Sequence, residues 1–203
     1  MSNEKLGNAG ALGLCAFGLT TLVLMLHNVG LYDMNAMILA MGIFYGGTVQ
    51  LLVGLLEWRH GNTFGTVAFG SFGGFWFSFS FMMILPLLGL PAPDAAAVGW
   101  FMAVWTVFTF AMFVGTLRIN RALQVVFGLG TIGFSLLALN DLTGIAALGD
   151  IAGVVGVLLG SAALYAGVAE VLNEVYGKVV MPIGPMVRKE TKPKVDTAAS
   201  SHN

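Results

Sequence analysis

NAGALGLCAFGLTTLVLMLH, Asn8 to His27, opens on one amide and then holds only small or apolar residues, apart from Thr20 and Thr21, until His27. About 20 mostly apolar residues are what a helix needs to cross the hydrocarbon of a bilayer. Whether this stretch crosses lipid or hides in a soluble core depends on the rest of the chain. Of its 203 residues, 57% are hydrophobic and 9% charged, where a soluble domain carries about 25% charged residues. A soluble chain of this size still has to cover itself with polar surface. The composition therefore predicts an all-α integral membrane protein.

The first residues, MSNEKLGNAGALG, lack the layout of a cleaved signal peptide, so the first span reads as part of the mature chain. Cys15 is the single cysteine, which excludes an internal disulfide and any multi-cysteine metal site. A net charge of −1 gives no sign of a nucleic-acid partner.

Six segments are long and apolar enough to span, at 11–31, 35–56, 64–88, 96–117, 122–140 and 150–176. Their connectors carry turn residues. Each segment is apolar on all sides, as a helix in lipid must be, and none shows the ten-residue alternation of a membrane β-barrel. The charges fix an orientation. Lys5, Arg59, Arg118, Arg121, Lys178, Arg188, Lys189, Lys192 and Lys194 all fall on one side, while the opposite connectors hold Asp33, Asp94, Asp141 and Asp150. Basic residues beside span ends mark the cytoplasmic face, so both termini are expected there, in the plasma membrane. The chain then divides into a cytoplasmic segment 1–10, a six-helix domain 11–177 and a basic tail 178–203, expected to be disordered.

In the last helix, Gly149, Gly153, Gly156, Gly160, Ala163 and Gly167 form one stripe, which continues as Glu170 and Glu174. Small residues at this spacing let membrane helices approach closely; packing within a protomer, packing between protomers and room for a permeant all remain open from sequence. The third helix is crowded with aromatics, and Phe72, flanked by glycines, has room to point inward.

Thr20, Gln50 and Gln124 are among the polar residues placed inside spans, where no Lys or Arg falls. Without a fixed cation, an anion meets only hydroxyls, amides and helix N-termini. Such a lining suits passage better than tight capture. A lone Ser or Thr usually bonds back to its own helix, whereas the amides of Gln50 and Gln124 are harder to satisfy locally. There is no HExxH, P-loop, GxSxG or CxxC pattern, so neither an enzyme nor a cofactor site is expected.

The sequence resembles the acetate uptake transporter family, which includes the succinate–acetate permeases. NAGALGL is similar to the family's N-P-A-P-L-G-L signature: Asn8, Leu12, Gly13 and Leu14 match, while Ala9, Gly10 and Ala11 depart and both prolines are missing. FGLTT, LHNVG, GIFYGGTVQLLVGLLEWRHGNTFGTVAF, GTLR and AEVLNEVYGKVVMPIG also match family usage. The resemblance implies six helices around a pore in each protomer, a homohexamer, and passage of acetate and small carboxylates, channel-like or proton-linked. It further implies a hydrophobic constriction, here at Phe17, Phe72 and Leu129; relatives often carry tyrosine in place of Phe72. Asn8, Thr20, Gln50 and Gln124 are then expected to offer donors along the path, with Glu57 and Glu170 near its cytoplasmic end. A channel for small neutral solutes explains the missing cations equally well, and a membrane scaffold needs only the glycine stripe.

Overall fold

Helix starts are set by the residues in front of the apolar runs. In the computed structural model, which describes residues 7–186, Asn8, Asn35, Asn62, Asp94 and Asn120 each accept a hydrogen bond from a backbone N–H two or three residues on, at 2.7–3.3 Å. Each satisfies one of the donors a helix start leaves unpaired. These caps open α1 (Ala9–Asn28), α2 (Ala36–Arg59), α3 (Thr63–Leu88, its last turn a 3-10 helix), α4 (Ala95–Thr116) and α5 (Arg121–Thr143). The sixth helix, α6 (Ala146–Tyr176), follows after only Gly144 and Ile145, so most of the connector expected between the last two spans is helical. Gly144 and Gly177 close α5 and α6 with φ of 71° and 62°, a left-handed conformation that glycine adopts without a Cβ penalty. All six helices are long and apolar enough to cross a bilayer.

Within α2, residues Met41–Val49 are π-helical. That wider turn leaves Gly42 and Gly46 facing α1 and α3. A methyl group at Gly46 would lie 2.7 Å from Trp76 Cγ and 2.8 Å from Thr20 Cγ2, and one at Gly42 would collide with the Ser80 hydroxyl.

The glycine stripe of α6 packs on α1 of the same chain. A Cβ at Gly160 would meet the Gly18 carbonyl at 3.0 Å, one at Gly18 the Leu164 backbone nitrogen at 2.7 Å, and one at Gly167 the Ala11 carbonyl at 2.9 Å. The two backbones are close enough that only glycine fits. Ala163, between these positions, is fully buried. Gly149, the outermost member of the stripe, packs instead on Asn140 of α5.

Neighbouring helices close a ring in chain order, with α1 against both α2 and α6. The contact between α3 and α4 is the slightest in backbone terms and is filled by rings: Phe75 with Trp105 and Phe101, Phe72 with Trp105 and Phe108. On the outside, Trp100, Val104, Val107, Phe110 and Val114 of α4 and Phe44, Leu52 and Leu55 of α2 are exposed. Water would penalise that surface and lipid does not.

The structure differs from expectation at the C-terminal segment. Residues 178–186 are pinned rather than loose. Asn173 Oδ1 accepts from Val180 N and Met181 N at 2.7 and 2.9 Å, and its Nδ2 donates to the Met181 carbonyl at 2.7 Å. The Gly184 carbonyl accepts from Arg121 N at 2.9 Å, and Met186 N donates to the Ile119 carbonyl at 2.9 Å. The Asn173 side chain from α6 and the backbone at Ile119 and Arg121, distant in sequence, hold this strap across the α4–α5 connector. Lys5 and the basic cluster Arg188, Lys189, Lys192 and Lys194 lie outside the described residues.

Candidate functional site

Two Asn–Glu pairs meet at the end of the ring where Arg59 ends α2, Arg118 lies in the α4–α5 connector and Arg121 begins α5. Asn8 caps α1 with its Oδ1 and, through Nδ2, donates to Glu170 Oε2 on α6 at 2.6 Å. Asn62 caps α3 with its Oδ1 and donates through Nδ2 to Glu57 Oε2 on α2. Each asparagine therefore fixes a helix start and a carboxylate of another helix at once. Gly10 sits between the pairs: a methyl there would be 3.3 Å from Asn8 Oδ1 and 3.5 Å from Glu57 Oε1. Glu57 is 4% exposed, and among the described residues its carboxylate takes its hydrogen bond from an amide.

These four side chains line one end of a cavity of about 250 Å³ inside the ring. Deeper in, its wall passes Gln50, Thr109 and Ala68 and ends on Phe17, Phe72, Phe127, Phe134, Gly130 and Leu159. Gln50 is buried. Its Nε2 donates to the Gly13 carbonyl over 3.5 Å, while its Oε1 has no partner.

A second cavity of about 210 Å³ continues toward the opposite end. Its wall carries Thr21, Asn28, Trp76 and Asp141 among methionines 25, 34, 83 and 102. Among the described residues, no lysine or arginine lines either cavity. Four residues border both: Phe17, Gly130, Phe134 and Leu159. They form the partition between the chambers.

Phe72 braces that partition from α3. Its ring lies 5.3 Å from Phe17 and stacks on Phe134 at 6.4 Å with the planes 7° apart. Phe127, Phe108 and Trp105 surround it at 5.7–6.0 Å. Aromatic pairs at these separations gain about 0.5–1.5 kcal/mol beyond area burial, so the cluster is stiff.

Of the residues singled out from sequence, Asn8, Gln50, Glu57, Glu170, Phe17 and Phe72 come together in the first chamber. Three do not. Leu129 lines neither cavity, because one residue on a helix turns the side chain by about 100°; the inward face of α5 is Val126, Phe127, Gly130 and Phe134. Thr20 is buried against Gly46 and lines neither chamber, with its Oγ1 unpartnered. Gln124 is satisfied locally after all: its Oε1 accepts from Arg121 Nη1 at 2.9 Å and its Nε2 donates to the Thr116 carbonyl at 3.3 Å. Asn62, Gly130, Phe134 and Leu159 were not singled out. Asn62 stood inside the GNTFG motif as a cap residue; the i, i+4 spacing of Gly130 and Phe134 was present but silent until one inward residue was known.

Residues 1–188 match the model of the GPR1/FUN34/yaaH family. The chain is 49% identical over 185 residues to the succinate-acetate/proton symporter SatP of Escherichia coli K12, covering 91% of this chain and 98% of that one. It is 34% identical over 178 residues to the ammonia transport outward protein 2 of Saccharomyces cerevisiae, covering 82% of this chain and 63% of that one. A solved structure described as the bacterial acetate channel SatP superposes with a TM-score of 0.87 at 48% identity, covering 89% of this chain and all of that one.

Proposed function

This chain belongs to the GPR1/FUN34/yaaH family, and from that membership, together with its two chambers in line, we propose that it passes acetate and related short carboxylates, succinate included, across a membrane. The observation that carries the reading is the partition: two chambers inside one six-helix ring that share Phe17, Gly130, Phe134 and Leu159, with no fixed cation on either wall among the described residues. A fixed cation would hold an anion too well for fast release. Gln50 is the amide assigned to the substrate in the first chamber: its Nε2, held by one long bond, donates to a carboxylate oxygen, and its unpartnered Oε1 accepts from the hydroxyl of the protonated acid.

The partition presents no polar group, so a bare carboxylate loses its hydration there without compensation, whereas the neutral acid loses far less. At the mouth, the carboxyl side chains of Glu57 and Glu170 favour the neutral acid over its anion in the same sense. Uptake linked to a proton follows. Labelled acetate uptake into proteoliposomes should rise as external pH falls at fixed total acetate, after subtraction of empty vesicles. Uptake that stays flat between about pH 5 and 8, above the usual carboxylate values so that the neutral fraction of the acid falls steeply with pH, sinks the proton-linked reading.

The basic end of the bundle is assigned to the cytoplasm by the positive-inside rule, and the assembly to a hexamer by family resemblance; cysteine labelling from either side and native mass measurement test these. A second reading is a channel for small neutral solutes, favoured by the relative described as an ammonia transport protein. Competition separates the two: acetamide should leave acetate uptake unchanged if the first chamber selects carboxylates.

A further inference from the structure

We propose that Gly130 sets the size limit of the conduit, and that its missing side chain is what admits three- and four-carbon monocarboxylates beyond acetate. This rests on the transport reading above. Of the four residues shared by the chambers, three carry large apolar side chains. Two of those are braced. Phe134 stacks on Phe72 and meets Phe75 edge-on at 5.1 Å, and Phe17 lies against Phe72 at 5.3 Å. The aromatic side of the partition is therefore held by α3 and yields little. The remaining border runs from the α5 backbone at Gly130 to Leu159 of α6.

That border is close enough for one added carbon to matter. A methyl at Gly130 would lie 3.8 and 3.9 Å from Leu159 Cδ1 and Cδ2, ordinary contact, and 3.2 Å from Thr109 Cγ2. Any β-carbon would narrow the passage between α5 and α6 at the partition. Helix packing does not require glycine here. At Gly18 and Gly160 a Cβ would meet backbone atoms at 3.0 Å or less, whereas at Gly130 it meets only the ends of side chains. Glycine in a helix interior costs about 0.5–1 kcal/mol relative to alanine. The position accepts that penalty where its effect is bore width.

The test is uptake of labelled acetate, propionate and isobutyrate by proteoliposomes holding the wild type, Gly130→Ala, Gly130→Val or Gly128→Ala. Gly128 lines neither cavity, and a methyl there would meet Phe113 at 3.4 Å. The wild type should take up all three acids. Gly130→Ala should keep acetate uptake and lower isobutyrate uptake relative to acetate by roughly tenfold, the discrimination one methylene gives in an apolar pocket; Gly130→Val should extend the loss to propionate. Gly128→Ala should leave the ratios as they are. Should Gly130→Val fail to fold, Gly130→Ala alone decides, since its nearest neighbour is a side-chain methyl. A folded Gly130→Ala with wild-type ratios overturns the size limit while leaving transport intact. A wild type that takes up none of the acids overturns both.

Discussion

Asn8 of α1 and Glu170 of α6 are joined by a 2.6 Å hydrogen bond across 162 positions of sequence. The same asparagine caps α1 with its other side-chain atom. One residue thus ties the start of the first helix to the far end of the last, beside the glycine contact that lets those helices touch. Asn62 repeats the device between α3 and Glu57 of α2. The mouth of the first chamber is therefore built from two amides that are already committed to carboxylates, which fixes their direction before any substrate arrives.

Substitution at Asn8 should separate the cap from the donor. Asn8→Ala loses both, and the protein should be destabilised by about 1 kcal/mol, the usual loss for an N-cap. Asn8→Asp keeps a good cap but replaces the donor by a third carboxylate facing Glu170. Its melting temperature should stay closer to the wild type while acetate flux falls further than in Asn8→Ala. Equal fluxes in the two variants would show that the donor to Glu170 has no part in passage.

Phe17 stands in the partition and touches Phe72. Removing its ring should let water join the two chambers. Large-to-small changes of buried phenylalanine cost about 3–5 kcal/mol, so Phe17→Leu is the milder probe and Phe17→Ala the stronger one. In both, the rise of acetate uptake toward low pH should flatten, because a wet partition no longer favours the neutral acid. A slope unchanged in Phe17→Ala, measured in vesicles at matched protein content, would mean that the barrier lies elsewhere.

Much of this was readable from residues alone, and the exceptions have physical causes. Six spans follow from apolar length, because backbone pairing in lipid leaves helices little alternative, although the last begins at Ala146, earlier than its apolar run alone places it. Phe17, Phe72, Gln50, Asn8, Glu57 and Glu170 were placed together by family resemblance and by polarity at depth. Leu129 lies one residue from the inward face: the hydroxyls of Thr131 and Ser135 on α5 bond back to carbonyls one turn earlier and mark no inward side, so the rotation of α5 is silent in sequence. Gly130 was hidden for the same reason, since a glycine that makes room looks like a glycine that packs. Gln124 misled because Arg121 one turn back, counted only as a topology marker, is also its partner. The pinned strap at 178–186 was masked by its composition, which reads as a tail, whereas Asn173 and Tyr165 on α6 hold it.

The α1–α6 contact gives a stability prediction with its own control. Gly18→Ala would drive a methyl to 2.7 Å from Leu164 N and 2.8 Å from the Gly160 carbonyl, backbone atoms that cannot move aside without parting the helices. Strain of this kind costs about 1–3 kcal/mol or more. Gly70→Ala meets nothing within 4 Å in the protomer. Thermal unfolding in detergent should show a clear drop for Gly18→Ala and none for Gly70→Ala; the reverse order would contradict the packing of α6 on α1.

Asn173 supplies three hydrogen bonds to the strap, two through Oδ1 and one through Nδ2, and Tyr165 adds one from its hydroxyl to the Pro182 carbonyl at 2.9 Å. Each net bond contributes about 0.5–1.5 kcal/mol, so Asn173→Ala removes most of what fixes Val180 and Met181. The backbone bonds to Arg121 and Ile119 remain but act on a longer free loop. Limited proteolysis should then cut between Gly177 and Met186 in Asn173→Ala and spare the wild type. The strap touches neither chamber, so acetate uptake by the uncut variant should match the wild type. Loss of uptake with the strap intact would mean instead that Asn173 supports the α6 face that carries Glu170.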